Sequence, residues 1–195
     1  MNKALFLDRD GVIDELVFHA DTGGYEAPRT ADEMRVRPGV EEALREAARA
    51  GWTIVVVSNQ PDVAKGRTTR EDLAAAHQRL LDLLHDPPIL DFRYCFHRAE
   101  DGCTCRKPSP QAVLEAAARY DIDLAQSWFV GDVDTDIACG RAAGTRTALL
   151  EYEHSSDKRG KQHADLVCRD LAHFVRTVAA AKSNDGAQSE DRRLR

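Results

Sequence analysis

Three short apolar runs, each broken off by a polar cluster, constrain what this chain can fold into more than any other feature. Residues 4–7 (Ala-Leu-Phe-Leu) run into Asp8-Arg9-Asp10-Gly11, residues 53–57 into Ser58-Asn59-Gln60, and residues 128–130 into Gly131-Asp132. Continuous apolar runs this short, bounded by turn residues, read as strands buried on both faces. Helical patterns lie between them. Val40, Ala43, Leu44, Ala47 and Ala48 fall on one face of a segment opened by Pro38-Gly39 and ended by Gly51. A Thr68-Thr69-Arg70-Glu71 capping box precedes Leu73, Ala76, Leu80 and Leu84, and Pro87-Pro88 stops that helix. Ser109-Pro110 opens a third helix, with Val113, Leu114, Ala117 and Ala118 as its buried face. Further strands are expected at 92–95, 147–150 and 166–167, and further helices at 137–143 and from about Asp170.

Strands alternating with helices imply an α/β fold with a mostly parallel sheet covered on both sides. Such sheets take ligands beyond the carboxyl ends of their strands. The clusters at Asp8-Asp10, Ser58-Asn59 and Asp132 therefore converge on one edge. Residues 14–37 read as a long irregular loop beside that edge. At 195 residues, 43% hydrophobic and 31% charged, the chain suits one compact domain. Residues 1–182 are expected to form it, without internal repeats, and the polar end 183–195 to be disordered.

Composition narrows the partners. A formal net charge of −6 repels an extended phosphate backbone, so no nucleic-acid partner is expected. No apolar run reaches the ~18–20 residues of a membrane span, and the start lacks a signal-peptide core. A cytoplasmic monomer acting on a small molecule is the expectation.

The converging groups suit phosphoryl transfer. A carboxylate attacking a phosphate monoester is repelled unless charge is neutralised. Mg²⁺ takes oxygen ligands, which Asp8 and Asp132 can supply. Lys107 adds a point charge, the groups around Ser58 and Asn59 can hold phosphate oxygens, and Asp10 can shuttle a proton. Cys95 and His97, followed by Cys103 and Cys105, offer three thiolates and an imidazole, enough for a closed structural zinc site that would fix the loop carrying Arg106 and Lys107. A free Cys95 with a Cys103–Cys105 disulfide is the alternative. Cys139 and Cys168 read as ordinary buried cysteines, and the remaining histidines (19, 77, 85, 154, 163, 173) as surface or loop residues.

Asp8-Arg9-Asp10-Gly11-Val12, Ser58-Asn59-Gln60, Arg106-Lys107-Pro108 and Gly131-Asp132-x-x-x-Asp136 resemble, in order and spacing, the motifs of the haloacid-dehalogenase superfamily. The receiver domains of response regulators use similar groups in a different order. The resemblance implies a Rossmann-like fold with no large cap domain. It makes Asp8 the nucleophile and Asp10 the acid/base, with Ser58 and Lys107 binding phosphate. Magnesium would be held by Asp8, Asp132 and the Asp10 main-chain carbonyl, with Asp136 behind them or bound through water. The cysteine loop is similar to that of a narrower branch, comprising the D,D-heptose 1,7-bisphosphate phosphatases and the phosphatase domain of histidinol-phosphate phosphatase. Asn59 to Gly66 looks like the heptose enzymes' second motif, which implies substrate contacts from Asn59, Gln60, Lys65 and Arg106, with Lys65 or Arg67 meeting a non-reacting phosphate. Val133, where the heptose enzymes tend to carry lysine, and the length of the 14–37 loop depart from that pattern. A heptose 1,7-bisphosphate is thus the first expectation and histidinol phosphate the second. A non-catalytic zinc-stabilised interaction module is the alternative of another class.

Overall fold

The computed structural model describes residues 1–179, so residues 180–182 of the expected domain and the tail expected to be disordered lie outside it. Strands β1 (Ala4–Leu7), β4 (Thr53–Asn59), β5 (Asp91–Cys95), β6 (Trp128–Gly131), β7 (Arg146–Leu150) and β8 (Leu166–Cys168) form a six-stranded sheet in the order β5-β4-β1-β6-β7-β8. Every pairing in it is parallel. Strand order steps outward from β1 in one direction through β4 and β5, then restarts at β6 on its other side. The topological switch therefore lies between β1 and β6, where such sheets open a crevice.

Strand alternation sorts the core into two layers. Leu5, Leu7, Ile54, Val56 and Val130 face helices α1 (Val40–Arg49), α2 (Arg70–Leu83) and α5 (residues 171–179), through Leu44, Leu80 and Phe174 among others. Ala4, Phe6, Val55, Val57 and Phe129 face α3 (Gln111–Tyr120) and α4 (Asp134–Ala143). Residues of one strand thus serve opposite layers, the condition for a doubly covered sheet.

Several boundaries differ from expectation. The 14–37 segment is not wholly irregular, since β2 (Val17–His19) and β3 (Gly24–Glu26) pair antiparallel in it. The cap of α2 sits one residue later, with Thr69 Oγ1 accepting from the Asp72 N–H at 3.0 Å. Thr68 Oγ1 instead donates to the Arg29 carbonyl. Helix α3 starts at Gln111 and buries Ala112, Val113, Ala116 and Ala117, leaving Leu114 and Ala118 exposed. His19 is buried, its Nε2 3.1 Å from the Ala27 carbonyl, and His77 is partly buried against Tyr94. Among the described residues no helix is long and apolar enough to cross a membrane.

Candidate active site

Register brings the first acid and its partners together. Leu7 pairs with Val56 on one side and Val130 on the other, so Asp8, Ser58 and Asp132 lie within two residues of one level at the carboxyl edge of the sheet. The Asp8 N–H continues the ladder to the Val130 carbonyl at 3.0 Å. The chain then turns through Gly11 at φ +81°, where a Cβ would stand 2.2 Å from Asp132 Oδ2. Glycine meets both demands at once, the left-handed backbone and the close approach of a buried carboxylate.

Asp8, Asp132 and Asp136 are all buried, and one carboxylate oxygen from each lies within 4.8 Å of the others. Lys107 is buried among them, its Nζ 2.7 Å from Asp8 Oδ1 and 2.8 Å from Asp136 Oδ1. Asp136, in the first turn of α4, also accepts from the N–H groups of Asp132 and Val133, both at 3.2 Å. Burial lifts the Asp8 carboxyl to about 7, against the Lys107 charge and with help from Asp136 and Asp10. Burial, with Asp136 and Asp8 adding to it, pushes Asp132 well above the carboxylate range. Burial would lower the Lys107 ammonium, but Asp136 and Asp8 outweigh it and hold that charge above its ordinary range. Three carboxylates share one cation here. A divalent cation with oxygen preference fits that donor set and would relieve its excess negative charge.

The Asp10 side chain lies outside that trio. Its Oδ1 accepts from Arg9 Nε at 3.0 Å and Nη2 at 2.6 Å, and its Oδ2 from Ser58 Oγ at 3.1 Å and Gln60 Nε2 at 2.5 Å. Arg9, wholly buried, also pairs with Asp14 at 3.2 Å and bonds Gln60 Oε1. Ser58 is thus turned to Asp10 and, unlike Asn59 and Gln60, does not line the cavity above the site. Asn59 clamps the Lys107 main chain, with Nδ2 donating to its carbonyl at 3.2 Å and Oδ1 accepting its N–H at 3.0 Å. The sequence names Arg9 within the first motif and Asp14 at the start of the loop without assigning either a role. Charged residues in an otherwise apolar stretch around Val12 and Ile13 were the available signal.

The four cysteine-loop ligands converge. Cys95, at the end of β5, has its Sγ 3.1 Å from that of Cys105 and 3.7 Å from that of Cys103, while His97 Nδ1 lies 3.3 Å from Cys105 Sγ and 3.6 Å from Cys95 Sγ. A disulfide needs sulfurs at about 2.05 Å. The observed edges instead approach those of a tetrahedron around zinc, about 3.8 Å for sulfur ligands at ~2.3 Å. All five cysteines are free, and Cys139 and Cys168 are buried as expected.

A cavity of about 300 Å³ opens above Asp8, Asp10, Asp132 and Asp136. Lys65, Arg106 and Lys158 are among its lining cations. Lys65 Nζ lies 3.7 Å from Asp62 Oδ1. Arg67 is not on the wall and is engaged by Glu26 at 2.9 Å and Asp62 at 3.6 Å. The β2–β3 hairpin contributes Glu26, and the 151–165 segment contributes Ser155 and Lys158.

Comparison with known proteins agrees with this geometry. The family described as HAD-hydrolase-like matches residues 104–174. A D-glycero-beta-D-manno-heptose-1,7-bisphosphate 7-phosphatase of Pseudomonas putida is 35% identical over 90% of this chain and 99% of its own. The histidine biosynthesis bifunctional protein HisB of Legionella pneumophila is 36% identical over 70% of this chain but 38% of its own. The crystal structure of D,D-heptose 1,7-bisphosphate phosphatase from B. bronchiseptica, complexed with magnesium and phosphate, superposes with a TM-score of 0.80 at 30% identity, covering 92% of this chain and 99% of that one. With such likeness over nearly its whole described length, the chain belongs to the haloacid-dehalogenase-like hydrolases, in the branch that holds the heptose bisphosphate phosphatases.

Proposed function

We propose that this chain is a phosphatase that removes the 7-phosphate of D-glycero-D-manno-heptose 1,7-bisphosphate through a phosphoryl group carried on Asp8. The observation that carries the reading is the Asp8 carboxylate at the end of β1, 2.7 Å from a buried Lys107 and grouped with Asp132 and Asp136 under an open cavity. An Asp8 oxygen attacks phosphorus as the bond to the sugar oxygen breaks, and Asp10 gives that oxygen its proton. Asp10 then takes a proton from water, which attacks the acyl-phosphate and returns Asp8 as a carboxylate. Lys107 offsets charge on the transferring group throughout. Asp8, Asp132 and the Asp10 carbonyl, with Asp136 behind, would hold Mg²⁺, which would supply further neutralisation of the phosphoryl group's negative charge. Cys95, His97, Cys103 and Cys105 would hold Zn²⁺ in a structural role, since four protein ligands would leave no open position.

Asn59 and Gln60 shape this cavity. Lys65 and Arg106 suit the substrate's far end. Histidinol phosphate, favoured by the HisB likeness, carries a cationic amine at that end, which the lining lysines and arginine would repel. An interaction module without chemistry does not call for a buried nucleophile, cation and acid triad.

A substrate panel tests the assignment. Phosphate release in Mg²⁺ is expected to give a kcat/KM for the heptose bisphosphate at least about 100-fold above that for histidinol phosphate, the ~3 kcal/mol of a charged contact made rather than opposed. Faster turnover of histidinol phosphate would overturn the substrate reading and leave the Asp8 chemistry standing.

A further inference from the structure

The segment after β7 is polar and carries little apolar surface, yet the structure ties it down at several points. The buried Ser155 donates to the Asp132 carbonyl at 3.3 Å and the Tyr152 carbonyl at 3.1 Å. Asp134, at the start of α4, accepts from the backbone N–H groups of Gly160, Lys161 and Gln162 at 3.1, 2.9 and 3.0 Å. The His154 ring stacks on Tyr25 of the β2–β3 hairpin with centroids 3.8 Å apart. Ordering a polar segment costs conformational entropy, and these bonds oppose that cost where apolar burial does not. Two residues of this arm line the active-site cavity, Ser155 and Lys158, and only Lys158 is charged; its Nζ donates to the Tyr25 carbonyl of the hairpin at 2.8 Å.

Charges around the mouth single it out. Glu26 is answered by Arg29 at 3.0 Å and Arg67 at 2.9 Å. Asp62 is answered by Arg29 at 3.4 Å, Arg67 at 3.6 Å and Lys65 at 3.7 Å. The two acids on this wall are therefore neutralised by cations beside them. Arg106 bonds the His97 carbonyl and Lys158 the Tyr25 carbonyl, so both present a full positive charge with only a neutral acceptor attached. Lys107, by contrast, is committed to Asp8 and Asp136.

We propose that Lys158 is a specificity-determining residue, which the ordered 151–165 arm holds at the cavity mouth to bind, with Arg106, the non-reacting phosphate of a bisphosphate substrate. This rests on the bisphosphate reading above and adds the residue that enforces it. The phosphate accepts from the Lys158 ammonium without displacing the Tyr25 contact, since an ammonium has three donors. The same charge disfavours substrates whose far end is cationic.

Lys158→Gln keeps a donor for the Tyr25 carbonyl and removes the charge, so it separates binding from support of the arm. The kcat/KM ratio between the heptose 1,7-bisphosphate and the 7-monophosphate is expected to fall roughly 10-fold, through KM for the bisphosphate, and Lys158→Arg to restore most of it. A ratio equal to wild type in Lys158→Gln would overturn the role of Lys158 while leaving the bisphosphate reading intact. Equal losses on both substrates, which point to collapse of the arm, overturn it too. Wild-type enzyme that does not distinguish the two esters would sink the bisphosphate reading itself, and the inference with it.

Discussion

Lys107 touches Asp8 and Asp136 at 2.7 and 2.8 Å, yet burial still carries Asp8 to about 7, so desolvation outweighs an ion pair at contact distance. A carboxyl whose folded value is raised binds more protons folded than unfolded. In the metal-free protein its contribution to stability is present below the ordinary carboxylate value and lost as pH rises through about 7. Mg²⁺ binding needs the ionised form and reverses that loss. The Mg²⁺ dissociation constant is expected to rise by about tenfold per pH unit below 7, with proton uptake by buffer seen in calorimetry. An affinity flat from pH 5.5 to 8 would refute this. In the proposed mechanism Asp10 serves both half-reactions, giving a proton to the sugar oxygen as Asp8 attacks and then taking one from the attacking water. Asp10→Asn is expected to lower kcat on the sugar ester by roughly 10²–10⁴. On an aryl phosphate, whose leaving group needs no acid, the same variant should give a stoichiometric burst of phenol and then stall at the acyl-phosphate. Linear slow release from the first turnover would contradict that division of labour.

At the scale of elements, β4 and the cysteine loop hold Lys107 between them. The Gln60 N–H donates to the Cys95 carbonyl at 2.7 Å, and Asn59 grips both sides of the Lys107 peptide. Cys105→Ser is therefore expected to remove bound zinc, lower Tm by several degrees and reduce kcat by at least ~10-fold. Unchanged kcat in a zinc-free variant would show that the loop does not position Lys107. The strand ends were legible because buried parallel strands are short, continuous and cut off by polar residues, and Asp8, Lys107, Asp132 and Asp136 came out together as expected. The β2–β3 hairpin was not legible, since each strand has three residues and Gly23-Gly24 masks any alternation. Ser58 illustrates a different limit. Its place at a strand end was plain, but sequence does not say whether its hydroxyl serves the cavity or the carboxylate of Asp10. The Leu114 face of α3 failed for want of partners, because alanines at 112 and 116 pack closer to the sheet.

Over the whole molecule, the switch in strand order beside β1 explains why residues 8, 107, 132 and 136, far apart in sequence, share one crevice. It also reconciles a net charge of −6 with an anionic substrate, because the acids of the mouth are paired locally and positive charge faces the cavity. That balance depends on tertiary pairing of Arg29 and Arg67 with Glu26 and Asp62, which no count of charges along the chain discloses. The central claim remains chemical: a phosphoryl group rests on Asp8 during turnover. Acid quenching of enzyme cycling its bisphosphate in Mg²⁺, followed by peptide mass spectrometry, measures it directly. The account predicts a phosphorylated peptide bearing the group at Asp8, enriched in Asp10→Asn when an aryl phosphate is the substrate, and abolished in Asp8→Asn together with phosphate release. An unmodified Asp8 peptide from Asp10→Asn given an aryl phosphate, alongside turnover that persists in Asp8→Asn, would contradict it.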